Sequence, residues 1–219
     1  EIAAFPKNGY KVISTFSGTG GSSLGYKMAG FQVLWANEFI PAAQESYRAN
    51  HPDTILDTRD IRTIQPEEIL AAIGMQKGEL DLFDGSPPCA SFSTAGIREK
   101  GWGKTKKYSD TEQRTDDLFF EFARLVKGIQ PKVLVAENVK GLTIGTAKAV
   151  LGDAQTDLFN DQADTIYHTL CDCGYVVRHE VLNAKHLGVP QSRQRVIFIG
   201  IRKDLAQKFN LEPVYPKNL

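Results

Sequence analysis

The chain has 219 residues, 42% hydrophobic and 24% charged, a composition that suits one globular domain with a sizeable core. Its 26 basic and 26 acidic side chains cancel, so net charge argues neither for nor against a polyanionic partner. No apolar run is long enough to span a bilayer, EIAAFPKNGYK at the start lacks a signal-peptide pattern, and three cysteines are too few for a disulfide framework; a cytoplasmic protein is expected.

In chain order, β-rich runs alternate with helical patterns. KVISTF (11–16) precedes a helix over 22–29, and QVLWA (32–36) precedes one over 40–50. A short extended stretch before Asp60 is followed by a helix over 66–74. LDLFD (80–84) leads into a long connection and a helix over 117–128, where Leu118, Phe122, Leu125, Val126 and Ile129 form an apolar stripe that belongs to the core. KVLVA (132–136), a helix over 157–172 and RVIFIGI (195–201) complete the pattern. Such alternation argues an α/β fold, a doubly wound and mostly parallel sheet with helices on both faces. Ligands of such sheets bind beyond the carboxyl ends of the strands, so the loops there matter most.

The longest loop is expected from Gly85 to about Asp116, and a connection of that length in a compact domain is commonly functional. It contains REKGWGKTKK (98–107), where Arg98, Lys100, Lys104, Lys106 and Lys107 face Glu99 alone; taken by itself, that run reads as a solvated loop. The end, EPVYPKNL, holds two prolines and is expected to lack a partner element, as a linker would.

The first strand runs into FSGTGGSSLG (16–25), whose glycines let the backbone turn tightly against a ligand. Ser23 stands where a dinucleotide fingerprint needs its third glycine, which discourages a nicotinamide oxidoreductase and favours a nucleoside without a pyrophosphate. Glu38, 20 residues after Gly18 and at the end of the second strand, is placed to accept from ribose hydroxyls. Asp60 and Ile61 could bind a purine amino group and cover its ring. After the fourth strand, SPPC (86–89) uses two prolines to aim Cys89 rigidly, as a nucleophile and not a structural thiol would be held. A related Pro-Pro-aromatic motif of amino-group methyltransferases stacks on a base; a cysteine in the last place changes the expected attack to a ring carbon. Glu137 in ENVKG lies at the end of the fifth strand, with a helix cap or surface ion pair as its competing reading. In QSRQR (191–195), Arg193 and Arg195 would point to the same side of an alternating strand. Cys171 and Cys173 lack a second cluster at ligand spacing, so no metal is expected, and His51, His168, His179 and His186 read as surface or core residues.

FSGTGG, NE (37–38), DI (60–61), SPPC with ASFS, DDLFFEFAR, PKVLVAENVKG and VLNAKHLGVPQSRQR occur in one order from residue 11 to about 203. In these pieces the chain resembles the catalytic domain of the DNA (cytosine-5) methyltransferase family. The resemblance implies a Rossmann-like domain over residues 1–219 that binds S-adenosyl-L-methionine and yields S-adenosyl-L-homocysteine. By it Cys89 would attack C6 of a flipped-out cytosine, Glu137 would bond the ring at N3 and its amine, and Arg195 with Arg193 would hold the base and a nearby phosphate. The cofactor would be held by Phe16, Ser17, Gly18, Gly20, Gly21, Glu38, Phe39, Asp60, Ile61, Pro88 and Leu118. Ser93, Asn138, Val139 and Gln191 would contact the substrate, double-stranded DNA, and the loop after Cys89 would close over it.

Position 39 is Phe where many members have Trp, which should keep the ring packing. The family's target-recognition region and last motif are absent from these 219 residues, so a missing C-terminal half or a complementing chain is expected as a partner. The resemblance points to a bacterial or phage modification enzyme, nucleoid-associated and belonging to a restriction–modification system. An RNA cytosine-C5 methyltransferase on the same scaffold, or a methyltransferase-like non-catalytic subunit, are the alternatives.

Overall fold

The structure, a computed structural model, describes residues 5–88, 106–108, 111–113, 118–139 and 157–217. Its elements begin with β1 (Lys11–Thr15), α1 (Gly21–Met28), β2 (Gln32–Asn37), α2 (Pro41–Asn50) and β3 (Ile55–Asp57). A 3-10 turn (Ile61–Thr63), α3 (Pro66–Ile73), β4 (Leu82–Gly85) and a hairpin of β5 (Lys106–Tyr108) and β6 (Thr111–Gln113) follow. Then come α4 (Leu118–Ile129), β7 (Val133–Val139), α5 (Asp157–Asp172), β8 (Tyr175–Asn183), β9 (Gln194–Arg202) and α6 (Lys203–Phe209).

Seven strands form one sheet in the order β3-β2-β1-β4-β7-β9-β8. The first five run parallel, while β9 is antiparallel to both β7 and β8. The expected doubly wound, mostly parallel sheet is therefore present. From β1 the chain winds outward through β2 and β3, then returns to place β4 on the other side of β1. The strand order reverses between β1 and β4, and a ligand crevice opens at their carboxyl ends.

Alternation along the strands decides which side chains build the core. In β7, Leu134, Ala136 and Asn138 are buried while Val133, Val135, Glu137 and Val139 are half-buried on the opposite face. On the better covered face, Phe83 meets Phe122 of α4 at a ring separation of 4.9 Å, and Leu125, Val126, Ile129 and Phe198 extend the cluster. The α4 stripe is core, as its spacing predicts. A thinner layer of Val12, Val33 and Leu82, with Tyr26 and Phe31, covers the other face.

Four local readings change. The strand β8 carries Arg178, His179 and Glu180 in its middle; it is a sheet edge, and exposure there removes the apolar signature of a strand. The connection after Gly85 contains the β5–β6 hairpin, whose three-residue strands are too short and too charged for periodicity to mark them. The seven-residue α6 is likewise too short to announce itself. The terminal EPVYP does have a partner: Tyr215 donates to the carbonyls of Arg178 and Ile197, and Glu212 pairs with Arg178.

Candidate active site

The turn after β1 is built from backbone constraints. Phe16, although not glycine, has φ 54°, a costly conformation that surrounding structure must hold. Ser17 supplies part of that hold, its N–H bonding the Asn37 carbonyl and its hydroxyl bonding the Ser14 carbonyl at 3.0 Å. Gly20, at φ 94°, caps the start of α1 and must lack a Cβ, because one would collide with the His51 ring. His51 is buried and its Nε2 bonds the Gly20 carbonyl at 2.9 Å, leaving Nδ1 without a partner among the described residues. Burial lowers the pKa of His51, so the ring is neutral at pH 7. Reading His51 simply as a surface or core residue overlooks this support; its signal was the i, i+4 spacing from Tyr47, whose ring lies 4.7 Å away.

Glu38 closes the turn from the side of β2. Its two carboxylate oxygens accept from the N–H groups of Gly18 and Ile40, each at 2.7 Å. A carboxylate has about four acceptor sites, so it can still receive two hydroxyls. Asn37, which the sequence marked only as part of NE, donates to the carbonyls of Asp57 and Arg59 and so ties β2 to the loop after β3.

A cavity of about 190 Å³ opens between these pieces. Phe16, Phe39, Ile61 and Pro88 give it apolar walls, and Asn37, Glu38, Ile40 and Ser86 complete the lining. Asn37, Ile40 and Ser86 were not singled out as site residues, since nothing in their type distinguishes them. A larger cavity of about 350 Å³, near Lys7, Lys27 and Asp53, lies at the amino end of β2, away from the crevice. Asp60 stands beside Ile61 with its carboxylate engaged by Arg62, through both the backbone N–H and the guanidinium. Arg124 of α4 holds the same turn by donating to the carbonyls of Ile61 and Ile64. Leu118 is fully buried in the core cluster against which Phe16 packs, and Gly21 begins α1 with open space where a Cβ would stand.

Further along the crevice, β7 and β9 bring ENV and QSRQR together. Glu137 pairs in register with Ile197, which makes Arg195 its diagonal neighbour on the same face. Arg195 Nε lies 2.8 Å from Glu137 Oε1. Burial raises the Glu137 pKa, and the opposing charges of Arg195 and Arg193 only partly offset it. Arg193 does not share the strand with Arg195, since β9 begins at Gln194; it is exposed, and its N–H is fixed by Asn183 Oδ1 at 3.0 Å. Asn138 is buried and spends its side chain locally, donating to the Pro87 carbonyl and accepting from the Val139 N–H. It thereby binds ENV to the SPPC turn. Val139 is half-buried and Gln191 is exposed. Cys89 and Ser93 lie outside the described residues. Among the described residues no group of acidic, His or Cys side chains could hold a metal, and no helix is long and apolar enough to cross a membrane.

A doubly wound sheet whose switch point carries a glycine turn, an acid-closed apolar cavity and a half-buried acid–arginine pair defines a Rossmann-like domain of the methyltransferase type. Residues 10–219 match the family of C-5 cytosine-specific DNA methylases, and the chain belongs to it. It is 36% identical over 203 residues to the type II methyltransferase M.NgoPII of Neisseria gonorrhoeae, covering 93% of this chain and 51% of that protein. It is 38% identical over 192 residues to M.AquIA of a Picosynechococcus strain, covering 88% of this chain and 72% of the relative. Among solved structures, a prophage-encoded protein of E. coli superposes with a TM-score of 0.68 at 25% identity, over 94% of this chain and 49% of its own. Spodoptera frugiperda DNMT2 does so at 0.64 and 24%, over 95% and 56%. The chain thus spans about half the length of most of these relatives.

Proposed function

We propose that residues 1–219 form the cofactor-binding and catalytic domain of a type II DNA cytosine-C5 methyltransferase. The observation that carries this reading is the meeting of three distant motifs, in which Asn138 links ENV to SPPC and Glu137 pairs with Arg195. S-adenosyl-L-methionine fits the cavity on two counts. Phe16, Phe39 and Ile61 offer faces to a flat ring, and Glu38 keeps acceptor sites for ribose hydroxyls. Gly18, Gly20, Gly21 and Ser17 would line its methionine end, with Pro88 and Asp60 near the base and Leu118 supporting from the core.

S-adenosyl-L-methionine supplies a methyl group on a positive sulfur. The chain must make the cytosine C5 nucleophilic enough to take it. Cys89, as thiolate, adds to C6, and the displaced ring electrons are carried to C5 while N3 gains a proton or a strong hydrogen bond from Glu137. A carboxyl with a raised pKa suits that donation. Arg195 holds Glu137 and the base edge, with Arg193 available to a phosphate. After methylation, loss of the C5 proton returns the electron pair to the ring and expels the cysteine thiolate. The base must leave the stack to reach Cys89, at a cost of a few kcal/mol. Ser93, Val139 and Gln191 would border it. The DNA surface, the recognised sequence and a cytoplasmic place in restriction–modification belong to the same proposal, as does a further segment or second chain that completes the DNA grip.

The test is to incubate the chain, alone and with the C-terminal half of a relative, with cofactor and duplex DNA carrying 5-fluorocytosine. Fluorine cannot leave C5 as a proton does, so a denaturant-stable adduct should accumulate and should vanish in Cys89→Ser. No adduct under either condition, or one that persists in Cys89→Ser, sinks the proposal.

A further inference from the structure

One buried acid has no part in that chemistry. Asp84 of β4 is 3% exposed and pairs in register with Ser14 of β1, at the point where the strand order reverses. Ser14 donates to its Oδ2 at 2.8 Å and Tyr26 of α1 donates to its Oδ1 at 3.1 Å. Ser22 of α1 adds a further hydrogen bond, and the ionisable groups that feel its charge are Tyr26, Tyr47 of α2 and Glu137 of β7. Among the described residues no cation pairs with it. A buried carboxylate served by hydroxyls alone is an expensive feature, and it invites a functional reading.

Its position supplies one. Upstream, the single hydroxyl proton of Ser17 in the glycine turn is shared between the Ser14 carbonyl at 3.0 Å and the Ser14 hydroxyl and Asn37 carbonyl, each at 3.3 Å. Downstream, the Asp84 carbonyl accepts from Thr15, the Ser86 N–H reaches the Thr15 carbonyl, and Ser86 and Pro88 line the cavity. We propose that ionised Asp84 is a positioning residue, setting Ser86 to Pro88 against the cofactor turn by fixing one direction for the hydroxyl chain Ser17 to Ser14 to Asp84. This rests on the reading of the cavity as the S-adenosyl-L-methionine site. An ionised carboxylate only accepts, so Ser14 must donate toward it and keep a lone pair for Ser17. A protonated carboxyl must itself donate, and the nearest acceptors are the same hydroxyls. Ser14, Ser22 or Tyr26 then has to reverse, and reversal at Ser14 puts the bond between the Ser17 and Ser14 hydroxyls at risk.

Burial raises the Asp84 pKa to about 6. The folded value lies above the unfolded one, so the acid destabilises the fold increasingly as pH rises from about 4 to 6, and by a constant amount above that. Function should run the other way, needing the ionised form. The test titrates S-adenosyl-L-homocysteine into the whole chain from pH 5 to 7.5, for the parent, Asp84→Asn and Tyr26→Phe, with melting temperatures alongside. Parent affinity should fall about tenfold from pH 7.5 to 5, since about one molecule in eleven stays ionised one unit below the pKa. Asp84→Asn should bind about tenfold more weakly at pH 7.5 with a flat pH profile, yet melt a few degrees higher there. Tyr26→Phe removes a donor to the carboxylate, so the midpoint of the affinity loss should move to higher pH. Parallel pH profiles for parent and Asp84→Asn, or an unmoved midpoint in Tyr26→Phe, overturn the proposal while leaving the cofactor site standing. A parent chain that binds no S-adenosyl-L-homocysteine at any pH overturns the site and the proposal together.

Discussion

The two ends of the crevice are organised by different physics. On the side proposed for the cofactor, the β1 turn is held by backbone hydrogen bonds, a positive-φ Phe16 and a buried His51, and its one acid is neutralised by main-chain N–H groups. On the side proposed for the base, Glu137 and Arg195 face each other as half-buried side chains on two paired strands. The first region is shaped to receive a ligand before it arrives. The second is an electrostatic balance that a ligand can tip, because the bond between acid and arginine can be exchanged for bonds to a base. Steric and electrostatic changes should therefore separate the two.

The largest expected effect belongs to the base side. Cys89→Ser should abolish methylation and the 5-fluorocytosine adduct while leaving S-adenosyl-L-homocysteine affinity within about twofold, a difference of under 0.5 kcal/mol. Calorimetry beside an adduct assay reads both, and a large loss of cofactor affinity would show that the two regions do not act separately. Next comes Glu38→Ala. It removes an ionic acceptor from two backbone N–H groups and from the proposed ribose, bonds worth roughly 1.5 to 3 kcal/mol each. Cofactor affinity should weaken about tenfold to several hundredfold, and unchanged affinity would remove Glu38 from the site.

Gly20→Ala is smaller and sharper. It forces a Cβ into the His51 ring at a φ that L-residues resist, costing roughly 2 to 4 kcal/mol together. For a chain of this size the melting temperature should drop by roughly 5 to 15 °C. The double variant Gly20→Ala with His51→Ala should recover the steric part but not the backbone part. Full recovery would mean the positive φ carries no strain; no recovery would mean His51 is not the obstacle.

What the sequence disclosed follows the same division. Motifs whose chemistry lies in residue type were legible: the glycine turn, Glu38, Glu137 and Arg195 are all found at the crevice. The parallel core strands were legible too, because their buried stretches are rich in β-branched and aromatic residues. Supports were not legible, since they act through partners far away in sequence. Nothing about Asn138 reveals that its amide reaches Pro87, 51 positions earlier, and nothing about Asp84 reveals a buried carboxylate bound to Ser14. Arg193 lies one residue before β9 begins, its N–H bonded to Asn183, so strand alternation does not describe it, yet its charge acts on Glu137 beside that of Arg195.

The smallest effect tests the electrostatic half most directly. Glu137 has a raised pKa because desolvation outweighs the attraction of Arg195 and Arg193. In the proposed chemistry its protonated form serves N3, so adduct formation should fail on the alkaline side as Glu137 loses its proton. Arg195→Ala removes the nearer opposing cation, leaving desolvation less resisted, and the Glu137 pKa should climb further. The alkaline limb of adduct formation should then move to higher pH, even as the maximum rate drops because the base is held less well. Arg193→Ala should move it the same way by less, since Arg193 is exposed and screened by solvent. A limb that moves to lower pH in Arg195→Ala would mean that Glu137 works as the ionised acceptor, and the proton would have to reach N3 from elsewhere.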